Sequence, residues 1–262
     1  MSSAGSGIHP TALIAPGAEL HASVQVGPYA VIGPQVRIGA HSTVGAHAVL
    51  EGRTTLGERN RVFQFASVGA IPQDLKYAGE STALVVGDGN QIREFTTLHI
   101  GTSGGGGVTR IGNHNLFMAY SHVAHDSQVG SHCVFANGAT LAGHVEVGDF
   151  AILGGLSAVH QFTRIGAHAF IAGGAMVVMD IPPYCIAQGD RAELAGLNVV
   201  GLQRRGFTEE QLGRIKDAYR VLFRSKLPLE EAVARLRVDF GGQPEVDQLL
   251  DFITSTKRGL TR

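Results

Sequence analysis

Residues 26–50 read VGPYAVIGPQVRIGAHSTVGAHAVL, and an aliphatic residue returns at every sixth position: Val26, Ile32, Ile38, Val44 and Leu50. The same phase extends back through Leu20 and Ile14 to Ile8. It runs forward to Leu56, Val62 and Val68, then returns at Val86, Ile92 and Leu98. After a one-residue slip it resumes at Ile111 and continues through Phe117, Val123, Phe135, Leu141 and Val159 to Val177. Repetition at a fixed short period marks a stacked solenoid, and hexapeptides belong to its β-helical class. A helix is excluded, because period six cannot keep one face of a 3.6-residue helix apolar. Four residues after the aliphatic the side chain is nearly always small, as at Ala30, Val36, Ser42, Ala48, Cys133, Ala139, Ala151 and Ser157. Large and small residues thus alternate into a narrow interior. Glycine often follows the aliphatic (Gly27, Gly33, Gly39, Gly45, Gly148), where a corner needs either positive φ or close packing. The expectation is an all-β solenoid of roughly eight or nine triangular coils, stacked about 4.8 Å apart.

Composition narrows the function classes. The 262 residues contain 36 glycines, 6% aromatics and no tryptophan, which suits a solenoid of tight corners. A net charge of −1 argues against nucleic acid as a partner. Two cysteines, Cys133 and Cys185, do not make a disulfide framework. Met1 to Gly7 carries no secretory leader pattern, and no apolar run is long enough to span a membrane. A cytoplasmic protein is expected.

Two segments exceed what the repeat needs. Residues 69–85 are expected as a protruding loop, and residues 101–110 (GTSGGGGVTR) as a flexible glycine-rich excursion. The repeat is expected to stop at Ile181-Pro182-Pro183, since proline cannot continue strand pairing. The boundary falls at 190/191: a solenoid over 1–190 and an α-helical C-terminal domain over 191–262. Thr208 with Gln211 forms a capping-box pattern ahead of Leu212, Ile215, Ala218, Tyr219 and Leu222 at helical spacing. Pro228 is expected to end that helix, with further helices over Leu229–Phe240 and Pro244–Thr254. Between 201 and 226 lie seven basic residues (Arg204, Arg205, Arg214, Lys216, Arg220, Arg224, Lys226) against Glu209, Glu210 and Asp217. Alone, such a cluster is a solvated face; it could also dock an acidic partner.

The candidate chemistry sits in the later coils. A step of 18 puts His125, Gly143 and Gln161 in one column, and Asp126 over His144. A histidine beside a glycine one coil away has open space and a backbone N–H within reach, which suits a general base with an oxyanion donor. Asp126 could orient the imidazole. His99, His122, His144 and His160 crowd the same coils. Clustered histidines also suggest zinc, but no cysteine supports them, and strand alternation sends His122 and His125 to opposite faces unless a corner intervenes. No metal is expected, and no nucleophile or phosphate-loop motif stands out.

These segments resemble a known family. Gln73-Asp74-Leu75-Lys76-Tyr77-Ala78-Gly79-Glu80, His122-Val123-Ala124-His125-Asp126, Asn137 through His144, Val159-His160-Gln161-Phe162 and Gly201 through Phe207 are similar to the acyl-acyl-carrier-protein–UDP-N-acetylglucosamine O-acyltransferases, the first enzymes of lipid A biosynthesis. The resemblance implies a left-handed parallel β-helix, an exception to the usual right-handed crossover, and a homotrimer with sites between neighbouring prisms. It implies that His125 deprotonates the sugar 3-hydroxyl, which attacks the thioester of an (R)-3-hydroxyacyl chain on acyl carrier protein. Asp126 then matches the acid paired with the base, and the Gly143 N–H the oxyanion donor, with no cofactor or covalent intermediate. Asp74, Lys76, His99, His122, His144, His160 and Gln161 match substrate-contacting residues. Asn198, Arg204 and Arg205 match tail residues at the nucleotide or phosphopantetheine, and the basic tail becomes the carrier-protein dock. Gly173 matches the stop for the acyl tail, and a glycine there leaves room for a longer chain. Ser127 and Val200 depart from residues common in the family, and the loop from Thr102 to Gly107 is richer in glycine than its pattern. The alternative is an acetyl-CoA-dependent hexapeptide acyltransferase acting on another nucleotide sugar.

Overall fold

The computed structural model describes residues 7–262, so most of the Met1–Gly7 tail lies outside the described residues. Each hexad contributes a short strand, and the strands stack in parallel into three faces. The first face runs from Leu13–Ile14 to Met176–Val177, and the second from Glu19–Leu20 to Arg164–Ile165. The third runs from Gln25–Val26 to Cys185–Gln188, with Glu193–Leu197 added antiparallel at its end. The chain is a left-handed parallel β-helix. The repeat aliphatics and the small residues four positions later are buried together in one continuous core. Stacked partners are 18 residues apart, except where offsets of 30 and 25 absorb the two insertions and where the last coil closes at 16, as in Phe170 with Ile186. The second insertion adds one residue beyond a whole hexad, which is the phase slip.

The glycine after each aliphatic serves close packing. A Cβ on Gly39 would stand 2.6 Å from the Gly57 carbonyl carbon, and one on Gly148 2.6 Å from the Ala167 nitrogen. At most corners a left-handed residue lies two positions further on and is mostly not glycine: Tyr29, His47, Phe65, Asp126 and His144 all have φ near +60°. Aromatic stacking between coils offsets that strain. At the third-to-first corner Tyr29, His47, Phe65, Phe95 and Tyr120 form a ladder with centroids 4.9–5.3 Å apart. Inside, a line of carboxamides occupies small positions: Asn90 N donates to Asn60 Oδ1, Asn115 N to Asn90 Oδ1, and Cys133 N to Asn115 Oδ1.

Three expectations need correction. The repeat does not stop at Ile181-Pro182-Pro183. Ile181 still bridges to Ile165, and Cys185–Gln188 pairs with Phe170–Ile171, because Pro183 falls on a corner position that donates nothing to the ladder. Glu193–Leu197 is a strand, so the helices begin only with α1, Val199–Arg204, whose first turn is capped by the Asn198 side chain. Next, α2 (Glu209–Phe223) starts with the Thr208/Gln211 capping box but ends before Pro228, which instead precedes α3 (Leu229–Phe240). With α4 (Pro244–Thr254), these helices enclose a second core around Leu212, Ile215, Leu236 and Leu249. Among the described residues no helix is long and apolar enough to cross a membrane.

Candidate active site

His122 opens the first-face strand His122–Val123, and the corner that follows turns His125 and Asp126 toward the same outer surface. That corner is why residues three apart share a side. Asp126 adopts φ +60°, which brings its buried carboxylate back onto its neighbour. A carboxylate only accepts, so His125 Nδ1–H donates to Asp126 Oδ2 at 2.8 Å. Nε2 is left as the acceptor. Burial opposes ionisation of Asp126, but donors from the Thr102 hydroxyl, His125 and the Thr102 N–H hold its carboxyl below the ordinary range.

One coil on, a Cβ at Gly143 would lie 2.5 Å from His125 Cε1 and 2.7 Å from Nε2, so glycine alone leaves this space open. The Gly143 carbonyl accepts from Phe162 N, while its N–H has no acceptor among the described residues. The equivalent N–H groups of Asn113 and Ser131 at the second-to-third corner are capped by Ser131 Oγ and Asp149 Oδ1. The Gly143 donor therefore faces outward beside the base.

His99, His122 and His144 form a neutral wall. Burial, then the nearby charges of His122 and His125, pushes His99 down to about 4. Burial also lowers His122 and His144. His99 and His122 meet edge to face at 4.9 Å, and Thr97 Oγ1 lies 2.6 Å from His122 Nδ1. His144 stacks on Phe162 at 4.4 Å, with Nε2 4.0 Å from Asp126 Oδ2, as the column arithmetic required. Asp74, which accepts from Lys76 N, acts electrostatically on His144. Exposed Gln161 continues the column, and His160 Nδ1 contacts its carbonyl at 3.1 Å.

The remaining candidates are elsewhere. Asn198 donates to the His168 carbonyl, and Arg205 lies over the Phe150 ring at 4.9 Å. Both line the second-to-third corner, a different edge of the prism from His125, and Arg204 is the last residue of α1 beside Arg205. Gly173 lies at the third-to-first corner, where a Cβ would meet nothing nearer than Gly155 O at 3.4 Å. The basic tail is partly neutralised: Arg214 pairs with Glu245 and Glu210, Arg220 with Asp217, and Arg224 covers Tyr219. Arg204, Lys216 and Lys226 form no ion pair among the described residues. Position 101–110 is no free excursion: it holds a short turn, Ser103–Gly105, with Thr102 fastened to Asp126. Sequence reasoning missed Thr102, and also Thr109, whose Oγ1 accepts from Asp126 N.

Burial, with the Arg205 charge, also takes His168 down to about 4. An unfolded histidine takes up its proton near 6.5, so the unfolded chain protonates first as pH falls. The stability contributed by His99 and His168 is complete above that value and is lost progressively between about 6.5 and 4. Melting temperatures across this range should fall for the native chain, with a shallower fall in His99→Gln. A flat profile counts against neutral burial.

A coil built of hexapeptides carrying a His–Asp pair at a corner defines a transferase class. Residues 17–52 and 109–143 match the family described as bacterial transferase hexapeptide (six repeats). Residues 180–261 match the one described as Udp N-acetylglucosamine O-acyltransferase, domain 2. The acyl-[acyl-carrier-protein]–UDP-N-acetylglucosamine O-acyltransferase of Myxococcus xanthus is 67% identical over 97% of this chain and 99% of its own. The crystal structure of UDP-N-acetylglucosamine O-acyltransferase from Moraxella catarrhalis matches with TM-score 0.95 and 43% identity over 98% of this chain and 100% of that one. The Campylobacter jejuni UDP-N-acetylglucosamine acyltransferase matches at 0.92 and 40%, over 97% and 98%. The chain belongs to the acyl-[acyl-carrier-protein]–UDP-N-acetylglucosamine O-acyltransferase family.

Proposed function

We propose that the chain transfers an (R)-3-hydroxyacyl group from acyl carrier protein to the 3-hydroxyl of UDP-N-acetylglucosamine, the first step of lipid A biosynthesis, in the cytoplasm. The supporting observation is His125, held through Nδ1 by buried Asp126 with Nε2 opening onto Gly143. In this reading Nε2 takes the hydroxyl proton as the sugar oxygen attacks the thioester carbonyl. The Gly143 N–H faces the developing oxyanion. Collapse breaks the C–S bond, and the departing thiolate takes the proton back from His125. The neutral histidines can bind sugar hydroxyls without competing for that proton. Asp74, Lys76 and Gln161 would add further contacts to the sugar nucleotide.

Both thiols are buried, with Cys133 pushed up to about 12 and Cys185 raised, so neither suits a covalent intermediate. His125, Asp126 and His144 bring ligand-capable atoms within 4.8 Å of one another. With Nδ1 protonated and Thr102 on the carboxylate, that set suits a cation poorly, and no cofactor is invoked.

The separation of Asn198, Arg204 and Arg205 from His125 favours a homotrimer. The second face is polar and charged outside (Arg110, Gln128, Glu146, Arg164), whereas the third shows half-buried Leu116, Val134, Ile152 and Phe170. Packing first face against neighbouring third face brings the His125 edge of one copy to the Arg205 edge of the next. The exposed aromatic ladder then surrounds the threefold axis. A sedimentation mass other than three chains sinks this arrangement. Gly173 would lie three coils from His125, about 14 Å along the axis, at the inner end of that cleft.

The test is transfer to labelled UDP-N-acetylglucosamine from ten- and fourteen-carbon (R)-3-hydroxyacyl carrier proteins, with acetyl-CoA as a third donor. Faster turnover of the fourteen-carbon donor is expected. Equal turnover removes the chain-length reading, and acetyl-CoA as sole donor removes the proposed function.

A further inference from the structure

The glycine-rich turn that follows Thr102 lies on the carboxylate behind His125. Thr102 Oγ1 donates to Asp126 Oδ2 at 2.6 Å, and Thr102 N approaches Oδ1 and Oδ2 at 3.0 and 3.1 Å. Oδ2 is also the oxygen that accepts from His125 Nδ1. The loop can come this close only because it lacks side chains: a Cβ on Gly105 would stand 2.0–2.5 Å from the Asp126 carboxyl atoms, and one on Gly101 2.8 Å from Oδ1. Gly105 N and Gly107 N both donate to Thr102 O and close the turn. Ser103 Oγ donates to Glu80 Oε1, fastening this turn to the loop that carries Asp74 and Lys76.

We infer that Thr102 is a positioning residue for the transfer reaction: its hydroxyl and N–H fix the Asp126 carboxylate so that Oδ2 orients the His125 imidazole and moderates its basicity. The inference rests on the reading of His125 as the base. The Thr102 hydroxyl and N–H share Oδ2 with His125 Nδ1, so part of its negative charge is spent on Thr102. Without the hydroxyl, Asp126 can rotate, and it binds the imidazolium of His125 more strongly when it does meet it. Gly101 and Gly105 have a defined role in this arrangement, as the gap through which backbone reaches the acid.

The experiment compares native protein, Thr102→Val and Thr102→Ser, each as the full chain. In Thr102→Val, kcat should fall about 10–100-fold, the scale of one hydrogen bond to a charged group. KM for UDP-N-acetylglucosamine should change little, and the acid limb of kcat/KM should move to higher pH. Thr102→Ser should restore both. The His125 ring-carbon resonance, titrated by NMR without substrate, should show a higher midpoint in Thr102→Val only. Native kcat and midpoint in Thr102→Val, or Thr102→Ser no better than Thr102→Val, overturns the inference. If Thr102→Val does not fold, Gly105→Ala decides: it keeps the hydroxyl but lifts the loop from the carboxylate. Loss of kcat there supports the clamp, and full activity overturns it. Should the native protein transfer no acyl chain, the proposed function fails, and the substrate-free titration still decides the role of Thr102.

Discussion

His125→Ala should lower kcat/KM for acyl transfer by about 10²–10⁴-fold, the usual worth of a positioned general base. The loss should lie chiefly in kcat, because the proton moves only as the oxygen attacks. Stability should change little. The ring is held by one hydrogen bond to Asp126 and an edge contact with His144 at 5.1 Å, and it lies outside the aliphatic core. Removing it also leaves Asp126 with both Thr102 donors in place. Steady-state kinetics beside a melting curve check both halves. Retained activity in a folded variant would show that the base is another group.

Asp126→Asn should cost a similar 10²–10⁴-fold for a different reason. Asparagine tolerates the left-handed backbone that this corner needs, so the fold is kept. The carboxamide, however, cannot accept from Thr102 Oγ1, Thr102 N and His125 Nδ1 as the carboxylate does. If its NH₂ faces the imidazole, Nδ1 becomes the acceptor and the proton moves to Nε2, the atom that must take up the substrate proton. Substrate binding should survive while turnover collapses. Unchanged kcat at neutral pH would mean that the tautomer is set elsewhere.

Much of the site was legible because it is periodic. The alignment of His125 with Gly143 and of Asp126 with His144 follows from an 18-residue coil, and the open space at Nε2 bears it out. The helix over Glu209–Phe223 was legible because the Thr208/Gln211 capping box and the apolar spacing agreed, whereas Leu229–Phe240 begins after Pro228 with no side-chain cap. α1 was missed because it has only six residues, too few to show a period. The interior asparagines were missed because their bonds run between coils, from Asn90 to Asn60 and from Asn115 to Asn90.

The sequence by itself determined the three-faced prism, its inward alternation and the column containing the base, since each repeats through local spacing. Tertiary structure decided where the non-repeating parts came to rest. It laid Thr102 and Gly105 on Asp126, placed Asn198 and Arg205 along another edge, and spent Arg214 on Glu245. An insertion's path depends on which distant donors and surfaces it can satisfy once the coil exists, and no spacing within the insertion encodes that.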